Sequence, residues 1–379
     1  MALLGAIFVP AVSAVDAEIV EKYSVSQKDA FIGAKNELCR FINDGVMSKD
    51  DFSADMLKNE PVLIYDANGL LLYYQFPIEK NGENTGYVKA TASKVLGGTV
   101  SVIGDSPDVI DYDQLLTDSI NNFEKKLSYS EEIADAKIIG YDPSFLGIML
   151  VIKEKNGSKR KVILDSEGNV LFDNSEKNSV LEKYSLYASL NSSKVDDKIK
   201  SWNSQFDEKA VASKASNIKN LWTQGNLYTQ PNGQWCAVTT GRMIAKWFGV
   251  DDSNAKIAGI MDSGTPSNPI MTPDHISELK YYENDPNGLQ LSSYYRSGGQ
   301  LNYNEGRDHI RDRENPFAST VPVPGGNAHS RAIAGYYQGN INYFRVYDPG
   351  QIVNGVITAK IYWENYDTSN MMEYILVGW

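Results

Sequence analysis

Apolar and polar positions change their period three times along this chain. In QKDAFIGAKNELCRFINDG, Phe31, Ala34, Leu38 and Ile42 recur three or four residues apart. That spacing puts them on one helical face, and Ser26 with Asp29 three residues on supplies the N-cap signal, so an amphipathic helix is predicted. Cys39 sits beside that face and reads as a small buried hydrophobe. From Pro61 to Asp173 the pattern becomes strand-like. PVLIYDANGLLLYYQF reads as two strands around Asp66-Ala67-Asn68-Gly69, and KVILDSEGNVLF as two more around Asp165-Ser166-Glu167-Gly168. Glu79-Lys80-Asn81-Gly82 and Glu154-Lys155-Asn156-Gly157 mark two further hairpin turns, and a helix is expected over roughly residues 113 to 128. Helices with antiparallel hairpins predict an α+β domain. From Asn174 to about Ser216 the chain is rich in Ser, Lys, Asp and Asn, with only short helical patterns such as VLEKYSLYASL. This stretch is expected to be a connector, exposed enough for a protease to cut.

Length supports the same division. With 379 residues, two domains are the natural expectation: 18–175, an α+β unit of hairpins and helices, and 217–379, joined by a connector at 176–216. Before them, ALLGAIFVPAVSA (Ala2 to Ala14) is apolar and ends in small residues, as in a secretory signal peptide cut after Ala14 or Ala17. No Lys or Arg precedes it, as a shortened start would leave it; a buried N-terminal strand is the alternative. A secreted, extracellular protein with no membrane attachment after signal removal is therefore expected.

Composition narrows the chemistry. The net charge of -12 argues against nucleic acid or an anionic membrane as partner. Residues 217–379 hold 12 Lys+Arg and 15 Asp+Glu, a net of -3, so the acidic excess belongs to the N-terminal part. Two cysteines exclude a disulfide framework or a thiolate metal cluster, and with three histidines any metal site would have to rest on carboxylates. Thirteen of the 23 tyrosines lie in the last 163 residues, which suits strand composition or a groove for peptide or sugar.

All three histidines and Cys236 also lie in that C-terminal part. In TQPNGQWCAVTTGRMIAKWFGV, turn residues Pro231, Asn232 and Gly233 precede Cys236, and Ala237, Gly241, Ile244 and Phe248 then follow at helical spacing, until Gly249 stops the helix. A thiol in a first helical turn is easily ionised, because unpaired N–H groups and the helix dipole favour the anion. Such a nucleophile needs an imidazole. His329, in GGNAHSRAIAGYY, leads into a strand, and the next strand, NYFRVYDPG, ends with Asp348, 19 residues after the histidine. Adjacent antiparallel strands could set that carboxylate beside the imidazole. Gln230, six residues before the cysteine, could aim its amide at a developing oxyanion. His275 reads as a solvated helix residue after Thr272-Pro273, and His309, in GRDHIRDRENP, as a surface or salt-bridged residue of a charged helix.

The order Gln230, Cys236, His329, Asp348, with Asp348 in a Tyr-Asp-Pro-Gly turn, resembles the papain-like cysteine peptidases. It is most similar to the compact bacterial branch that includes bacteriocin-leader (double-glycine) peptidases, over roughly residues 217–379. Papain itself uses Asn in the third role, and its Gly-Ser-Cys-Trp is replaced here by Gln-Trp-Cys-Ala. The resemblance implies a papain-like α+β domain in which a Cys236 helix packs on an antiparallel sheet carrying His329 and Asp348. It implies a secreted thiol peptidase using a Cys236 thiolate and His329 imidazolium, oriented by Asp348, with Gln230 in the oxyanion hole, a polypeptide substrate and no metal or organic cofactor. The N-terminal domain is similar to the inhibitory propeptides of secreted bacterial cysteine proteases in size, position and helix-plus-sheet character, which implies a zymogen inhibited by its own N-terminal part. The alternatives are a cell-wall amidase or endopeptidase of Cys–His type, and a secreted binding protein without activity.

Overall fold

Ser26 accepts the Asp29 backbone N–H at 3.1 Å and opens the helix Gln27–Asn43, as the local pattern predicts. This computed structural model describes residues 15–107, 110–141, 145–175, 181–207, 217–297, 302–323, 327–353, 355–369 and 371–379. The expected signal segment up to Ala14 lies outside them; Val15, just after it, is buried, and Asp16 caps the helix Ala17–Lys22.

Ala34, Leu38 and Phe41 of the Gln27–Asn43 helix are fully buried among strands, while Cys39 is only half-buried. The hairpins form where their turn residues predict them. Val62–Tyr65 pairs with Leu71–Lys80, and Lys159–Asp165 with Val170–Asp173. At the turn between Leu71–Lys80 and Glu83–Thr91, Asn81 and Gly82 both have positive φ, 56° and 84°, the backbone a tight hairpin needs. The helix expected over 113–128 spans Tyr112–Glu124.

The chain is α+β, built on one large mixed sheet. Its order runs Ser293–Ser297, Glu373–Val377, Phe317–Val323, Asn327–Gln338, Asn342–Val353, Val356–Asn365, Val100–Gly104, Glu83–Thr91, Leu71–Lys80, Val62–Tyr65, Glu132–Gly140, Leu146–Lys153, Lys159–Asp165 and Val170–Asp173. The short strand Asn217–Asn220 also pairs with Asn327–Gln338. Neighbours are antiparallel except at Tyr65–Ile139, where the pairing is parallel. The two halves expected as separate domains meet inside this sheet. Tyr362 pairs with Gly104 and Glu364 with Val102, so neither half leaves that strand edge open. Side chains join them too: the Phe41 ring lies 4.9 Å from that of Tyr343 and 5.9 Å from that of Trp363, and the Tyr337 hydroxyl donates to Asp44 at 2.7 Å.

The exposed connector is corrected over residues 181–207. These fold into short helical turns and the helix Val195–Asp207, whose Val195, Ile199 and Trp202 are buried. Trp202 Nε1 donates to Thr91 Oγ1 at 3.1 Å, Gln205 accepts the Thr99 N–H at 3.0 Å, and Asp66 accepts from Ser185 Oγ and the Leu186 N–H, both at 2.6 Å. The apolar positions 195, 199 and 202 do share a helical face, but the polar residues between them dilute the pattern below what composition reveals. Residues 176–180 and 208–216 lie outside the described ones. Among the described residues, no helix is long and apolar enough to cross a membrane.

Candidate active site

The helix Cys236–Trp247 begins at the cysteine and ends at Phe248, with Gly249 at φ 80° just beyond. Every residue from Cys236 to Gly241 is buried, so the helix is enclosed on more than the one side its periodicity predicts. One flank packs on the strands Asn327–Gln338 and Asn342–Val353; the other meets Ile257, Met261 and Tyr281 from the segments that follow the helix. Two bonds hold its N-terminus in place. Trp235 Nε1 donates to the Ser263 carbonyl at 2.8 Å, and Thr240 Oγ1 donates to the Ser330 carbonyl at 3.1 Å, next to His329.

Asp348 was expected to end a strand in a turn. Instead the strand runs through it to Val353, with a bulge: Asp348 pairs with Lys360 and Gln351 with Thr358, one residue out of step. Pro349 has no N–H for a ladder bond, and Gly350 takes φ 99° where a Cβ would lie 2.3 Å from the Thr358 carbonyl. The bulge turns the Gly350 N–H onto Asp348 Oδ1, at 2.8 Å, and the same oxygen meets His329 Nε2 at 2.8 Å. Asp348 Oδ2 accepts from Tyr362 at 3.2 Å. Tyr362 in turn accepts from Arg331 at 2.9 Å, and Arg331 is paired with Glu364 at 2.6 Å. Arg331, Tyr362 and Glu364 are all buried, so the carboxylate that orients the histidine is itself oriented.

With Nε2 committed to Asp348, the other ring nitrogen of His329 is left for the Cys236 thiol, which lines the same cavity and acts on the imidazole. Burial alone would push the imidazole towards its neutral form, but the Asp348 charge and the Cys236 thiol outweigh it and raise its pKa from 6.5 to about 10. Burial would likewise raise the Asp348 carboxyl, yet His329, Arg331 and the Gly350 N–H hold it down to about 2. The neighbouring Asp348 carboxylate therefore favours the imidazolium form of His329. A raised histidine pKa contributes stability that is complete below its ordinary 6.5 and fades as pH climbs through about 10. A lowered aspartate contributes above its ordinary 3.8 and fades as pH falls through about 2. The Tm difference between wild type and Asp348→Asn should thus be widest at about pH 4 to 6.5 and narrow towards both extremes. A difference that stays constant in thermal melts taken from about pH 2 to pH 10 would contradict the ion pair.

Gln230 is 4 % exposed, and its backbone N–H donates to the Pro349 carbonyl at 3.0 Å, which anchors it to the same bulge. Its side chain shares one cavity of about 190 Å³ with Cys236 and His329. All four expected residues thus gather around one site. The N-terminal half closes it: Phe145, Leu146 and Leu171 line the same cavity, and the Phe145 ring stands edge-on to the His329 ring, 4.5 Å between centres. The hairpin turn at Ser166 adds a hydrogen bond to the Ile352 carbonyl, just past the bulge. Sequence reasoning missed Phe145, which lies outside any periodic pattern, and the Tyr362–Arg331–Glu364 chain. The alternation of His329 with Arg331 along one strand was the available signal for part of the latter.

The remaining histidines depart from expectation. His309 is buried at 1 %, stacked 6.0 Å from Trp379, and burial lowers its pKa to about 4. Its helix, Tyr303–Asp312, turns His309 and Ile310 inward while Arg311 and Asp312 are exposed, so the charged sequence around it misleads. His275 opens the short helix His275–Leu279, capped by Asp274, and is half-buried with its ring stacked on Tyr295 at 3.7 Å. No protein-family model matches the chain, and no curated protein matches it.

Proposed function

We propose that this protein is a papain-like thiol peptidase, made as a zymogen whose N-terminal half covers the catalytic cleft. The single observation that carries the reading is the buried His329–Asp348 pair, 2.8 Å apart, with His329 sharing one cavity with Cys236 and Gln230. In this reading His329 takes the thiol proton and the Cys236 thiolate attacks the peptide carbonyl carbon. The carbonyl π pair moves to oxygen, and the oxyanion is held by the Gln230 amide and the Cys236 backbone N–H. Collapse breaks the C–N bond, and His329 gives its proton to the departing amine. Water, deprotonated by His329, then hydrolyses the thioester and frees Cys236. Asp348 keeps the ring oriented and stabilises its charged form. The chemistry needs no metal or organic cofactor, and the partner is a polypeptide. The signal-like N-terminal segment supports secretion. The deciding experiment is thiol-dependent hydrolysis of casein by wild type and Cys236→Ala, with peptidoglycan peptides as the rival substrate.

Latency rests on Phe145. Its ring stands against the His329 ring inside the cavity that Cys236 and Gln230 also line, so in this reading it blocks the path of the leaving amine. Phe145→Ala in the full-length chain should raise peptide hydrolysis about tenfold, the change expected from about 1.4 kcal/mol of lost ring contact. Equal rates for wild type and variant would mean that this ring does not restrain the enzyme.

A further inference from the structure

A second cavity, of about 220 Å³, opens on the other side of Cys236. It is lined by neither Gln230 nor His329, and Ala328 and Met271 form the wall between the two cavities. Since the leaving amine must collect its proton from His329, the Phe145 side receives the residues after the scissile bond. The second cavity then receives those before it.

Its chemistry is acidic. Glu278, Glu373 and Asp274 line it, and among the described residues that do so there is no Lys or Arg. Glu278 is 8 % exposed, and its Oε2 has no hydrogen-bond partner among the described residues, an arrangement costly enough to call for a donor. Glu373 is held in position by the Tyr295 hydroxyl at 2.9 Å, and Tyr295 carries the stacked His275 ring at the rim. Burial, reinforced by the neighbouring Glu373 and Asp274, pushes the Glu278 carboxyl up to about 8. A cationic guest would relieve both the desolvation and the mutual repulsion. Met271 and Met372 supply apolar wall for a long methylene stem.

We propose that this cavity is a specificity subsite for a lysine or arginine side chain, one or two residues before the scissile bond, with Glu278 as its unpaired acceptor. The inference rests on the peptidase reading and names its substrate class. A charge-assisted bond to a buried carboxylate discriminates by about 10- to 100-fold.

The test uses the full-length chain, as wild type and as Phe145→Ala, on fluorogenic peptides carrying Arg, Lys, Leu or Glu at the first or second position before the cleaved bond. The expected result is a kcat/KM for Arg or Lys at one of those positions about 10- to 100-fold above Leu, with Glu lowest. Glu278→Gln should collapse the Arg-to-Leu ratio towards one, and Glu373→Gln should reduce it in part. Because the readout is a ratio within each variant, a smaller folded fraction does not imitate it, and the second variant serves if the first fails to fold. Hydrolysis of casein with no preference for Arg or Lys, or an unchanged ratio in both Glu variants, overturns the subsite alone. No hydrolysis of casein or of any peptide in either background, before or after limited proteolysis of the chain, overturns the peptidase reading, and this inference with it.

Discussion

Cys236→Ala is expected to lower hydrolysis by about 10⁴–10⁶-fold, the scale on which losing a nucleophile acts in concerted sites of this kind. The change removes one atom from a residue 6 % exposed at the start of a well-packed helix, so circular dichroism and melting should show the native fold. The helix is held by Trp235, Thr240 and its buried apolar residues, none of which needs the sulfur. The measurement is best made with and without Phe145→Ala, so that the covered cleft does not hide the difference. A pure variant that keeps more than a few per cent of wild-type turnover would remove the cysteine from the mechanism.

The next largest effects separate formation of the thiolate from binding of the oxyanion. Gln230→Ala should reduce kcat by about 10²–10³, the usual loss for one oxyanion donor. In the Phe145→Ala background, alkylation of Cys236 by iodoacetamide should stay fast in that variant, because His329 and its bond to Asp348 are untouched. His329→Ala should reverse the pattern: at mildly acidic pH, well below the free-thiol pKa of about 8.5, alkylation should slow sharply as the counter-charge is lost. Cys39 provides the slow reference in the same chain, since burial pushes its thiol up. If both variants lost alkylation equally, Gln230 would be shaping the site rather than binding the oxyanion. The backbone anchor from Gln230 to Pro349 is a side-chain-independent contact and should survive the substitution.

Local signals were enough for much of this molecule. Ser26 before a 3.6-period run, Asn81-Gly82 between two strand patterns, and Cys236 between turn residues and a helix each act within a few residues, so the chain specifies them wherever it folds. The gathering of Gln230, Cys236, His329 and Asp348 was legible for a similar reason: an amide, a thiol, an imidazole and a carboxylate are chemically distinctive types that stand next to predicted element boundaries. Side chains without distinctive chemistry were not legible. Asp348-Pro349-Gly350 reads as a turn by local rules, yet pairing with Val356–Asn365 on one side carries the strand through and leaves a bulge that aims the carboxylate. His309 reads as exposed from its charged neighbours, and only the packing of its helix against Phe317 and Trp379 buries it.

What the sequence determined by itself is the set of elements and the inventory of reactive groups, because helix periodicity, turn chemistry and the acidity of a thiol or imidazole are properties of a few adjacent residues. What only the tertiary structure decided is every relation between distant parts: the shared sheet that joins residues 100–104 to 356–365, the helix that folds residues 195–207 against Thr91 and Thr99, and the Phe145 ring against His329. Those contacts join positions up to about 260 residues apart. They depend on shape complementarity between surfaces that no local pattern encodes, since one apolar face fits many partners until the fold selects one.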